Sequence, residues 1–386
     1  MNAHRTSAYL LIATVIGLIA LGLVMMSSTS AYAPESRGDA MFLLQRQVKW
    51  LGIGVVLCAL AAVLDYHRLQ KTWWLWYGIA AVLLALCFVP HLGHSHFGAK
   101  RWIKLGISFQ PSEFAKLAAV VALAWWLARD EQHARQFLRG CAGPLALAGI
   151  LMGLIAPEVD IGTTALIGGT TLVLMFIAGT RLRYLALVLL LGSALLSLVI
   201  AKMPERTGRF LAFLHPELYP ADAYQAEQGL IALGSGGVEG LGLGNGRQKM
   251  QYLPFAHTDF IFPVVGEELG LRYTLAVVAA FLVFILCGAA IAMRARDRFG
   301  MLLGFGITLL IALQAAINIG VTTAVLPNKG MPLPFISYGG TNLVLCLIGV
   351  GILLNIYRQG LTEKDGKPAG AVLNARMRHA RRVVRL

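Results

Sequence analysis

Charge is what this sequence has least of. Only 13% of its 386 residues are Asp, Glu, Lys or Arg, while 57% are hydrophobic. Soluble domains carry about 25% charged residues. So little charge cannot cover a water-facing surface, which excludes an ordinary soluble enzyme. Acidic residues are scarcer still, 19 against 33 Lys and Arg, for a formal net charge of +14. A nucleic-acid binder would gather that excess in one stripe. Here the basic residues sit in short clusters between apolar blocks, so no nucleic-acid partner is expected and anionic membrane lipid is. Cysteine is sparse too. Cys58, Cys87, Cys141, Cys287 and Cys346 lie far apart in apolar surroundings, which excludes a CxxC metal motif and a disulfide framework and leaves small hydrophobes. Gly242-Leu-Gly244-Asn-Gly246 has no strand before it, so it is no dinucleotide fingerprint. No internal repeat is evident.

What is abundant is long apolar sequence. About ten blocks are long enough to cross a bilayer, near residues 8–27, 48–64, 73–90, 109–128, 141–156, 159–178, 184–202, 260–293, 299–323 and 334–357. The first is longer than a signal-peptide core of about 7–15 residues. Despite the Ala31-Tyr32-Ala33 that follows it, it reads as a retained helix. The expected fold class is an all-α polytopic integral membrane protein. Its transmembrane domain covers 1–358, and a basic cytoplasmic tail covers 359–386.

Orientation follows from the basic residues. With the N-terminus inside, 19 of the 33 Lys and Arg fall on the cytoplasmic side, in clusters such as Arg129, Arg135 and Arg139, or Arg294, Arg296 and Arg298. That bias favours N-in, C-in. It also places a large extracytoplasmic loop, 203–257, between spans seven and eight, with a short surface helix expected over 222–233. Lys100, Arg101 and Lys104 crowd one outer loop, and Arg206, Arg209, Arg247 and Lys249 another. Positive charge there opposes the usual rule, and an anionic ligand on the outer face is one reason for it.

An ionisable group in a span costs roughly 2.5–3.5 kcal/mol on insertion scales, so each is a functional candidate. In Gln110-Pro-Ser-Glu-Phe-Ala-Lys116 the proline suits a first helical turn, and Glu113 and Lys116 share a face. The alternative is a self-neutralising pair at the helix entrance. In His257-Thr-Asp259, Asp259 stands just before an apolar run. It could cap the next helix, or serve as a general base with His257 assisting. Glu268 and Arg272 are four apart and could pair. Pro327 to Gly340 holds too many prolines and glycines for a regular helix. Broken backbone at membrane depth is tolerated where it lines a cavity, so Ser337 and Tyr338 are expected as wall donors.

These residues resemble the SEDS family (shape, elongation, division and sporulation proteins). The resemblance rests on Gly98-Ala-Lys-Arg-Trp102, Gln110–Lys116, His257-Thr-Asp-Phe-Ile-Phe262 with Gly266-Glu-Glu-Leu-Gly270, and Pro332-Leu-Pro-Phe-Ile-Ser-Tyr-Gly-Gly340. It runs from the first span to about residue 358, and it is closer to division-type than to elongation-type members. Two positions depart from the usual pattern. Phe255 stands where an acidic residue is common, and Pro157-Glu-Val-Asp160-Ile-Gly-Thr163 carries one residue more than usual.

The resemblance implies a ten-span peptidoglycan glycosyltransferase of the bacterial inner membrane, working at the division septum on lipid II, an undecaprenyl diphosphate-linked disaccharide-pentapeptide. It implies Asp259 as the catalytic acid/base residue, with Glu113 and Lys116 near it. Lys100, Arg101 and Trp102 would hold the lipid-linked sugar or diphosphate, with His257, Arg247, Lys249, Ser337 and Tyr338 as further binding candidates. The implied partners are a class B penicillin-binding protein transpeptidase and other division proteins. No cofactor is certain; a divalent cation, Mg or Mn, could share charge neutralisation. The competing readings are a lipid-linked precursor flippase, which would concentrate its ionisable residues near the bilayer midplane, and a scaffold.

Overall fold

The computed structural model describes residues 3–36, 39, 41–89, 93–96, 99–104, 108–130, 132–158, 160–201 and 204–361. The basic tail, from residue 362 on, lies outside them. Fourteen α-helices follow one another: α1 Ala3–Thr29, α2 Phe42–Val63, α3 His67–Lys71, α4 Trp73–Leu86, α5 Pro111–Ala128, α6 Gly143–Ile155, α7 Ile161–Ala178, α8 Leu182–Ala201, α9 Pro204–Leu214, α10 Pro220–Gly236, α11 Ile261–Leu269, α12 Leu271–Met293, α13 Arg298–Thr322 and α14 Gly340–Leu361. Eight of the described helical segments are long and apolar enough to cross a membrane, and the stretches 73–86 and 182–194 are shorter apolar helices at the third and seventh expected spans. Together they fall on the ten apolar blocks.

Three expectations change. The outer loop before α5 is not featureless. It folds into a three-stranded antiparallel sheet, β1 Gly93–His96, β2 Ala99–Lys104 and β3 Ser108–Phe109, so the bundle is not purely α. Short polar strands carry too little hydrophobic periodicity to announce themselves in sequence. The long block at 260–293 is two helices, divided at Gly270, whose φ of 81° only glycine adopts readily. The surface helix expected at 222–233 is longer, as α10, and it is not simply on the surface. Ala223, Gly229, Ala232 and Gly236 are buried, with α10 packed along α11.

A core of buried apolar side chains runs through the bundle, drawing on α1, α5, α7, α12, α13 and α14. Cys141, Cys287 and Cys346 are part of it, as small hydrophobes. Helices α5, α13 and α14 are the central elements, with 72% of the apolar window buried in each, whereas α2 buries only 11%. Polar chemistry on those three helices is therefore internal to the protein. Polar residues on α2, by contrast, sit in an element that chiefly faces outward.

Candidate active site

Three stretches of irregular backbone meet at the end of the bundle where α5 and α7 begin. The first is 251–260, a run of turns leading into α11. Phe255, where the family resemblance led us to expect an acid, has a left-handed φ of 57°. Its carbonyl accepts from Thr258 N at 3.0 Å and Phe260 N at 3.2 Å, closing a tight loop that presents Asp259. Asp259 does not cap the next helix. The N-cap of α11 is Phe260, with no side-chain hydrogen bond. The capping role offered by the sequence therefore falls to neither Asp259 nor another side chain.

The second stretch is the proline-rich break, 326–339. It is pinned from below by two amides one turn apart on α13. Asn318 Nδ2 donates to Met331 O at 2.6 Å and to Asp259 O at 2.7 Å. Gln314 Nε2 donates to Pro332 O at 2.9 Å. Asn318 thus ties the two loops to each other through one side chain. Ser337 joins them again: its hydroxyl donates to Thr258 O at 2.5 Å and accepts from Leu333 N at 2.7 Å. Ser337 is buried and occupied by this brace, so it is not the open wall donor expected from sequence. Tyr338 remains partly exposed, its N–H on His257 O at 3.0 Å. The ring of buried His257 lies 6.1 Å from that of Tyr338.

Gly330 decides where the carboxylate sits. A Cβ added there would lie 2.5 Å from Asp259 Oδ2, so only glycine leaves that room. We expect Gly330→Ala to displace the carboxylate and to lower turnover at least tenfold while the protein stays monodisperse and folded by circular dichroism. Unchanged turnover would mean that this contact is unimportant.

The third stretch is the α6–α7 corner. Asp160 caps α7, its carboxylate accepting from Thr163 N at 3.0 Å and Thr163 Oγ1 at 2.8 Å. Arg101, on β2, donates from Nε to Glu158 O at 2.8 Å. Asp259 lies outside the membrane-spanning segments and is partly buried. Loss of water raises its pKa to about 7, with Arg101 pulling it down and Asp160 pushing it up. Arg101 and Asp160 are thus both within electrostatic reach of it. Trp102 follows on β2, partly exposed. Lys100 and Lys104 lie on that strand too, with side chains outside the described residues.

Beneath these loops lies the pair expected at a helix entrance. Glu113 and Lys116 are 4% exposed each. Lys116 Nζ meets both carboxylate oxygens, at 2.8 and 2.9 Å, and Gln314 Oε1 at 2.7 Å. Asn342 Nδ2, from α14, donates to Glu113 Oε2 at 2.8 Å. The pair is internal and knits α5, α13 and α14 together. Through Gln314 it also reaches the carbonyl of Pro332. Its contact with the site is therefore indirect.

Two binding candidates belong elsewhere. Lys249 is 3% exposed and bonded to Glu268 at 2.5 Å, to Ser28 Oγ and to Gly244 O. Arg247 is exposed, and its N–H donates to Glu267 Oε1 at 2.8 Å. The glycine-rich loop is thus a cradle for the protein's own carboxylates, with Gly244 N on Glu268 and Gln248 N on Glu267. Glu268 does not pair with Arg272, as spacing suggested. Arg272 instead meets Glu239 at 3.0 Å, because the break at Gly270 turns the two residues apart. Among the described residues no three His, Cys, Asp or Glu converge closely enough to hold a metal ion.

Gln314, Asn318 and Asn342 were missed in the sequence. Their signal was present: amides inside apolar spans, two of them four residues apart on one face. Glu158 was also passed over; it is fully buried against the Cys87 thiol, and among the described residues no nitrogen or oxygen donor reaches its carboxylate.

The fold and site define a class: a polytopic helical membrane protein with one partly buried carboxylate, beside an arginine, set in broken backbone at one end of the bundle. Comparison with known proteins narrows this. Residues 8–361 match the family described as "Cell cycle protein", FTSW_RODA_SPOVE, and the chain belongs to that family. It is 39% identical over 349 residues to the probable peptidoglycan glycosyltransferase FtsW of Geobacter metallireducens, covering 88% of this chain and 92% of that one. It is 36% identical over 370 residues to the stage V sporulation protein E of Bacillus subtilis, covering 93% and 99%. Among solved structures, a chain of a peptidoglycan synthase complex that coordinates polymerization and crosslinking aligns with a TM-score of 0.77 at 28% identity, over 92% of this chain and 98% of that one. The rod shape determining protein RodA of Thermus thermophilus aligns with a TM-score of 0.68 at 27% identity, over 92% and 97%.

Proposed function

We propose that this chain is a peptidoglycan glycosyltransferase that polymerises lipid II at the outer face of the bacterial cytoplasmic membrane during cell division. The observation that carries the reading is Asp259: partly buried, held by Asn318 and Gly330 and faced by Arg101. The names of the relatives support the same activity.

In this reading the acceptor sugar presents its 4-hydroxyl to the Asp259 carboxylate. The oxygen attacks C1 of the donor sugar, and its proton passes to Asp259. The C1–O bond to the lipid diphosphate breaks, and the diphosphate leaves with the electron pair. A single displacement converts the α-linked donor into a β-linked product. Diphosphate is already a good leaving group and needs positive charge more than a strong acid. Arg101, on β2, supplies it. Trp102 offers a face for the sugar. A base must be ionised to act, and the raised pKa makes Asp259 mostly protonated below about 7. The polymerisation rate should therefore fall about tenfold per pH unit below that point and level above it. Arg101→Gln should move the midpoint up and Asp160→Asn should move it down. A flat profile across that range would count against Asp259 as the base.

Such an enzyme makes glycan but has no transpeptidase chemistry, so its partner is a class B penicillin-binding protein, alongside other division proteins at the septum. The decisive experiment mixes purified protein and labelled lipid II, with and without the transpeptidase, and separates glycan polymer from substrate. Polymer formation supports the reading. Lipid scrambling without polymer would instead indicate a flippase.

A further inference from the structure

At the far end of α5, about 20 Å along the helix from Lys116, lies a cavity of about 530 Å³ walled by Trp126, Leu127, Arg129, Asp130, Ala134 and Arg139. Binding clefts typically enclose ~300–1,000 Å³. Nothing in the proposed reaction uses this cavity. By the charge bias it opens on the cytoplasmic side, in the cluster of Arg129, Arg135 and Arg139.

The cavity is a built feature of the fold. Its floor is the indole of Trp126, whose Nε1 donates to Arg139 O at 2.7 Å. The ring can lie there only because residue 143 is glycine; a Cβ would come within 2.3 Å of it. Arg139, which lines it, belongs to a turn of π-helix, Leu138–Ala142, of a kind that recurs at functional sites. Gly140 brings that turn against Ala134, with room for no side chain, and Thr180 Oγ1 holds its carbonyl at 3.0 Å. Arg129 is fixed as well. Its guanidinium lies 3.8 Å over the ring of Trp125, which is stacked on Trp73 at 3.9 Å. Among the described lining residues two arginines stand against Asp130, which accepts from Gln132 N at 2.8 Å, a net positive set.

Its surroundings identify the depth. Phe137 and Leu138, next to Arg139, are 47% and 73% exposed. Phe137 meets the ring of Tyr184 edge-on at 5.4 Å, with Arg183 over that ring. Aromatic rings mixed with arginines mark the membrane–water interface. A soluble anion would have no use for exposed apolar side chains next to Arg139, whereas a phospholipid would lay its acyl chain on them.

We propose that this cavity is a binding site for the phosphodiester headgroup of an anionic glycerophospholipid of the inner leaflet. Arg129 and Arg139 contact the phosphate, Trp126 underlies the glycerol, and Phe137 and Leu138 receive the chain. Basic pockets on the cytoplasmic side of membrane helices recognise such headgroups. The inference is independent of the glycosyltransferase reading, since it concerns the opposite end of the bundle.

The test reconstitutes the full chain in phosphatidylcholine nanodiscs with a minor fraction of brominated lipid and reads tryptophan quenching. Brominated phosphatidylglycerol should quench the wild type more strongly than brominated phosphatidylcholine at equal fraction. Arg129→Gln with Arg139→Gln should lower the apparent preference for phosphatidylglycerol roughly tenfold, from two interfacial charges, while quenching by phosphatidylcholine is unchanged. Equal quenching of the wild type by both lipids would overturn the proposal. So would a full preference retained in the folded double variant, or displacement of the lipid by soluble glycerol phosphate at matching concentration. If the double variant does not fold, Trp126→Phe decides: the differential quenching should largely disappear with that ring, and its persistence would place the lipid elsewhere.

Discussion

Asp259→Asn should abolish glycan polymer from lipid II while leaving the protein folded. The substitution preserves shape and removes the negative charge. Its backbone carbonyl, the atom bonded to Asn318, is untouched, so the loop should keep its place. Loss of a positioned general base costs about 10²–10⁴-fold. Initial rates on labelled lipid II, with the transpeptidase present throughout, measure it. Asp259→Glu is the informative companion. It restores the charge on a longer arm that must fit against Gly330, where Oδ2 already lies 2.5 Å from a would-be Cβ, so partial activity is expected. Polymerisation within a few-fold of wild type in Asp259→Asn would rule the residue out as the base. Glu158, a fully buried carboxyl whose backbone oxygen accepts from Arg101, would then be the first alternative to test.

Lys116→Met should strongly destabilise the bundle. Glu113 would be left 4% exposed with Asn342 as its remaining bonded partner. Breaking a buried pair by removing one member costs roughly 3–5 kcal/mol. Gln314 Oε1 would also lose its donor. The cost arises mainly from the stranded carboxylate, so Glu113→Gln added to Lys116→Met should recover most of the stability. A thermal melt in detergent compares the three proteins. If the double variant is no more stable than Lys116→Met, the stranded charge is not the cause. Because Gln314 also holds Pro332 O, the rescued double variant should still polymerise more slowly than wild type. Fold stability and loop placement are thus separable in one pair of variants.

The structure also reassigns several residues that looked alike in sequence. Lys116, Lys249 and Arg101 were all cations near an expected outer face. Lys116 and Lys249 neutralise buried Glu113 and Glu268 and brace helices and loops. Arg101 alone of the three lies beside Asp259. The difference is burial and partner, and neither can be read from residue type. Ser337 is similar: a hydroxyl in a broken segment could face a substrate, but it is consumed by Thr258 O and Leu333 N.

By itself the sequence determined the ten apolar crossings, their approximate ends, the orientation and the segments where helix fails. These depend on local composition, on run length against bilayer thickness and on the side where Lys and Arg collect. It also singled out Asp259, because a carboxylate next to an apolar run is costly wherever the chain goes. Tertiary structure alone decided the rest. It made the pairing of Lys249 with Glu268 rather than Glu268 with Arg272, the sheet that carries Arg101, and the reach of Asn318 and Gln314 to the proline-rich loop. Those contacts join residues brought together only when α5, α13 and α14 pack. An amide in an apolar helix has no visible partner until then, and its desolvation is offset only by the carbonyl that packing delivers.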